Sequence, residues 1–180
     1  EVTEDNAEGI KPADFTNNRE AGSLKIKKTV TLNGKDIKAF TKEADTKLVD
    51  GEYKFEVIGK GTANDTKKTV VITIFKGEVT GATVDGVSTT IDEDKYAVID
   101  NLPVGTYEIN ELLSADQTNK KITLAGPEGT QTLTVRSGEG AKIDTVEFTN
   151  NKEAKGDLKI KKSVTVNSGV TDTKLVDGTY

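Results

Sequence analysis

Apolar and polar residues alternate along much of this chain, most clearly in Gly22-Ser23-Leu24-Lys25-Ile26-Lys27-Lys28-Thr29-Val30. Alternation with a period of two reads as a half-buried β-strand. Leu24, Ile26 and Val30 take one face, and Lys25 and Lys27 take the other. The same period puts Lys28 on the apolar face. A lysine aimed into a core is costly unless it is paired or loses its charge. Further strand-like runs cover 49–58, 69–75, 78–87, 96–99, 106–111, 122–124, 132–135 and 143–150. Asp85-Gly86 breaks the third of these as a tight turn, and Pro103 and Gly105 punctuate a turn over 101–105. No run of useful length shows a helical period. Many short strands between turn signals predict an all-β fold, an antiparallel β-sandwich.

Two more polar residues fall on apolar faces. Glu111 shares a face with Tyr107 and Ile109, and Asn150 shares one with Val146 and Phe148. Each ends an alternating run, so each taken alone also reads as a strand end turning to solvent. Three such residues on the first, a late middle and the last strand weaken that reading.

The chain also repeats itself. Asp14-Phe15-Thr16-Asn17-Asn18 followed by Arg19-Glu20-Ala21 matches Glu147-Phe148-Thr149-Asn150-Asn151 followed by Lys152-Glu153-Ala154. The opening strand recurs as Gly156-Asp157-Leu158-Lys159-Ile160-Lys161-Lys162-Ser163-Val164. Asp45-Thr46-Lys47-Leu48-Val49-Asp50-Gly51-Glu52-Tyr53 recurs, at a shorter offset, as Asp172-Thr173-Lys174-Leu175-Val176-Asp177-Gly178-Thr179-Tyr180. Repeats this long are domains in tandem. Residues 1–19 read as the end of a preceding repeat, 20–151 as a complete one and 152–180 as the start of a following one. Asn17 and Lys162 are then the neighbours' counterparts of Asn150 and Lys28.

Composition narrows the function. Among 180 residues there is no Cys, His, Met or Trp. Thiolate nucleophiles, disulfides and soft metal sites are excluded, and the commonest general base is missing. The chain is therefore not expected to be a turnover enzyme or to carry a cofactor or metal. A net charge of −5 with mixed signs gives no nucleic-acid footprint, and no apolar run is long enough to span a membrane. No N-terminal signal peptide is visible, which reads as a mature fragment. Asp92-Glu93-Asp94 lacks the spacing of a calcium loop and reads as a solvated turn.

The Leu-x-Ile-x-Lys opening at 24–28, the Leu-Pro-x-Gly-x-Tyr-x-Ile-x-Glu run at 102–111 and the Phe-Thr-Asn close at 148–150 resemble the collagen-adhesin B-type (SpaA-like) domain of Gram-positive adhesins and pilins. The resemblance covers the complete repeat and both partial ones, and 59–95 is longer than in a minimal member. It implies a reversed-immunoglobulin-like sandwich at the bacterial cell surface, attached to the cell wall or built into a pilus. It also implies a spontaneous amide (isopeptide) bond between Lys28 and Asn150, assisted by Glu111. Lys25 and Lys27 compete with Lys28, and Asn151 with Asn150.

Residue chemistry agrees with that implication. Desolvation favours the neutral, nucleophilic amine of a buried lysine. A buried carboxyl holding a proton polarises the Asn carbonyl and passes protons to departing ammonia. The expected role is a self-locked stalk module whose partners are neighbouring repeats or other copies of the chain. The alternative is an adhesin domain contacting a host protein or glycan through 59–95, which a cluster of exposed aromatics would mark.

Overall fold

The computed structural model describes residues 20–154 and 160–162. Segment 1–19 with Asn17, and most of 152–180, lie outside the described residues. The described strands are β1 (Ala21–Leu32), β2 (Lys35–Asp36), β3 (Gly51–Lys60), β4 (Lys67–Phe75), β5 (Glu78–Val84), β6 (Val87–Ser88), β7 (Tyr96–Pro103), β8 (Gly105–Leu112), β9 (Ile122–Gly126), β10 (Gln131–Val135) and β11 (Thr145–Lys152). They form a sandwich of two sheets. One runs β2-β1-β11-β9, with β7 also against β1, and the other runs β10-β8-β3-β4-β5-β6.

Strand β1 shows why alternation organises this fold. Leu24, Ile26, Lys28, Val30 and Leu32 are all buried, and the residues between them are partly exposed. The inward row meets Tyr53, Phe55, Ile72, Tyr107 and Ile109 of the second sheet. The rings of Phe55 and Phe148 lie 5.1 Å apart and join the sheets at the centre.

The described sheets form the antiparallel sandwich that the alternation predicts, with one parallel pairing within it, β1 against β11. Lys28 stands opposite Phe148, and Val30 stands opposite Asn150. Parallel neighbours cannot be joined by a tight turn. Here the whole intervening domain is the connection, so its first and last strands end up side by side.

Three further details depart from expectation. The turn read over 101–105 shrinks, because β7 continues through Pro103 and β8 resumes at Gly105. A proline at a strand end removes no needed N–H donor there. The last strand spans Thr145–Lys152 instead of 143–150. Short helices α1 (Glu43–Thr46) and α2 (Ala115–Asn119) were not anticipated, since one turn is too short to show a helical period. Helix α2 is set by its ends: Ser114 and Gln117 form a reciprocal capping box. Ile160, Lys161 and Lys162 are exposed and belong to no strand among the described residues.

Candidate functional site

Three strands from both sheets bring Lys28, Glu111 and Asn150 together. Lys28 comes from β1, and Asn150 comes from β11, two residues beyond the partner of Lys28. Glu111 comes from β8 across the sandwich, where it stands opposite Phe55 of β3. Lys28 Nζ donates to Glu111 Oε2 at 2.9 Å, and Asn150 Nδ2 donates to Glu111 Oε1 at 2.6 Å. One carboxylate therefore bridges the amine and the amide.

The site is dry. The Lys28 and Glu111 side chains are 0% and 1% exposed, and Asn150 is fully buried. Burial pulls the Lys28 ammonium down to about 8, against the opposing charge and hydrogen bond of Glu111. Removing a charge from water favours its neutral form, and a neutral amine is a nucleophile. Asn150 Oδ1 is buried without a hydrogen-bond partner. An orphaned buried acceptor is costly, and an adjacent protonated carboxyl would satisfy it.

The competing candidates lie elsewhere. Lys25 pairs with Asp92 at 2.8 Å. Lys27 lies over the Tyr96 ring and 3.8 Å from Glu147. Asn151 Oδ1 accepts from Thr31 Oγ1 at 2.8 Å and from the Gly34 backbone N–H at 2.9 Å, so it clamps the β1–β2 hairpin. In the acidic triplet, Asp92 is engaged by Lys25 and the Tyr96 N–H. Among the described residues no His, Cys, Asp or Glu group is arranged to hold a metal. No described helix is long and apolar enough to cross a membrane. Phe75 alone of the described aromatic residues is exposed, so the cluster expected of a host-ligand site is not present among them.

Tyr53 lies in the strand-like run 49–58, and sequence reasoning gave it no role at the site. Its ring centroid lies 5.1 Å from Lys28 Nζ, and its hydroxyl donates to the Val49 carbonyl at 2.7 Å. Tyr107 makes the matching bond to the Pro103 carbonyl at 2.8 Å. Both belong to a Leu-x-x-Gly-x-Tyr run, at 48–53 and 102–107, with the glycine at φ 154° or 155°. Glycine takes that backbone without strain, and each run opens a strand. The shared pattern was the available signal, and it appears a third time at 175–180.

No protein-family model and no curated protein matches this sequence. Among solved structures the chain is similar to the Bacillus anthracis TIE protein, with 19% identity and a TM-score of 0.34, over 74% of this chain and 16% of that one. It is also similar to the minor pilin GBS52 of the Gram-positive pathogen Streptococcus agalactiae, with 14% identity and a TM-score of 0.35, over 81% of this chain and 49% of that one. The chain thus spans under half the length of either protein, and likenesses at this level bear on no functional assignment.

Proposed function

We propose that residues 20–151 form a structural module of a Gram-positive surface adhesin or pilus, in tandem with like modules, locked by an amide bond between Lys28 and Asn150. The observation that supports it best is the buried Glu111 carboxylate, hydrogen-bonded to both the amine and the amide. The reaction starts with the Lys28 ammonium passing a proton to Glu111. The neutral Nζ attacks Asn150 Cγ. A half-turn of the Asn150 amide lets protonated Glu111 donate to the carbonyl oxygen and stabilise the charge that develops there. Glu111 then relays a proton from Nζ to the departing nitrogen. One C–N bond forms, one breaks, and ammonia leaves. Folding holds the groups in contact, which supplies an effective molarity of about 10⁵ M or more. Each domain reacts once, so nothing turns over.

The link would join the two strands that carry the chain into and out of the domain. Tension entering through β1 would leave through β11 along covalent bonds, and the other strands would carry little of it. Intact mass in denaturant tests the reading. The wild-type chain should be lighter than its calculated mass by one ammonia, about 17 Da. Lys28→Ala and Glu111→Gln chains should keep their full mass. A wild-type chain at full mass would refute the proposal.

A further inference from the structure

We propose that Tyr53 is a positioning residue for the cross-link, holding the Lys28 amine against Glu111 and Asn150. This inference rests on the proposed Lys28–Asn150 bond and names a residue that acts on it. Lysine is the most flexible of the three reacting side chains, with four methylenes to order. Glu111 and Tyr53 both meet its amine in the structure. Glu111 accepts its hydrogen bond at 2.9 Å, and the Tyr53 ring centroid lies 5.1 Å from Nζ. The electron-rich face of an aromatic ring attracts an ammonium.

The ring itself cannot swing away. Tyr53 is fully buried, and its hydroxyl is tied to Val49 of its own chain, four residues back. Gly51 makes the sharp entry that brings this carbonyl within reach. The other titratable group facing the amine is Glu111 of β8. Burial, and after it the charges of Glu111, Asp50 and Asp116, keep the Tyr53 hydroxyl protonated.

Tyr107 supplies a control within the same domain. It makes the same bond to a carbonyl four residues back, and it opens the strand that carries Glu111. It stands four residues before Glu111, roughly 13 Å along the strand. Tyr107→Phe therefore removes a like hydrogen bond farther along the strand that carries Glu111.

The experiment follows mass loss against time. Chains made by cell-free synthesis are held in urea and diluted into buffers of different pH to fold. In Tyr53→Phe the ring stays and its tether goes, so bond formation should slow several-fold more than in Tyr107→Phe. In Tyr53→Leu the ammonium loses its aromatic partner. The midpoint of the alkaline fall in rate should then move to lower pH by about 0.5–1 unit. Equal slowing in Tyr53→Phe and Tyr107→Phe would overturn the assignment, even if Tyr53→Leu fails to fold. So would a Tyr53→Leu midpoint that matches the wild type. A wild-type chain that keeps its full mass overturns the cross-link and this role together, whereas failure in the variants alone overturns only this role.

Discussion

Lys28 Nζ lies 2.9 Å from Glu111 Oε2, although the two residues come from opposite sheets of the sandwich. The pair is as dry as the aliphatic side chains around it. A buried ion pair rarely adds net stability over apolar packing, yet losing one partner strands the other charge. Such a pair is better suited to chemistry than to holding a fold together.

Glu111→Gln keeps the shape and removes the negative charge. It should abolish the cross-link and leave the Lys28 ammonium unpaired in the core. Denaturant unfolding, compared with an uncross-linked Asn150→Ala chain, should show a loss of about 3–5 kcal/mol. Equal stability of the two variants would show that Glu111 does not hold the lysine.

Bond formation should depend on pH through one proton shared by the pair. The productive form is a neutral amine beside a protonated carboxyl, a tautomer of the ion pair. As pH passes the Lys28 value of about 8, the shared proton is lost, and with it the acid that assists ammonia. Mass-loss rates on folding should be level below that point and fall above it. A rate that keeps climbing past pH 9 would mean that only the free amine matters.

Stability of the uncross-linked domain should rise with pH. In Asn150→Ala, Lys28 deprotonates near 8 when folded and near 10.5 when unfolded. Between those values the unfolded chain binds more protons, so stability increases from about pH 8 upward. Tyr53 acts in the opposite sense above its ordinary value of 10.0, because burial keeps the phenol protonated only in the folded state. The gain should therefore peak near pH 10, at about 2–3 kcal/mol. Adding Lys28→Met should flatten the rise, and identical curves with and without Lys28 would contradict it.

Asn151 should prove structural. Asn151→Ala removes the acceptor of Thr31 Oγ1 and the Gly34 N–H. Stability should fall by about 1–2 kcal/mol while the loss of ammonia is kept. A full-mass Asn151→Ala chain would reopen the choice between the two asparagines.

Much of this was legible in the sequence, for one reason. In a strand, the face of a side chain follows from counting by two, so Lys28, Glu111 and Asn150 could be placed inward from their neighbours alone. Their meeting could not be derived that way. It depends on β1 and β11 lying parallel and on β8 crossing above them, and strand order leaves no trace in periodicity. The resemblance to known domains filled that gap. Helix α2 was missed although Ser114 and Gln117 announce its start, because a capping pair without a following apolar period is easily passed over. Tyr53 was passed over because an aromatic residue in a strand-like run needs no further explanation. The hydroxyl bond to Val49 and the amine above the ring come from the structure alone.

The most direct test is a map of the branch itself. Wild-type protein is digested, and the fragments are sequenced by tandem mass spectrometry. The account predicts a branched peptide joining the Lys28 segment to the Asn150 segment, lighter than its two parts by one ammonia. Separate, unmodified Lys28 and Asn150 peptides, or a branch at Lys25, Lys27 or Asn151, would contradict it.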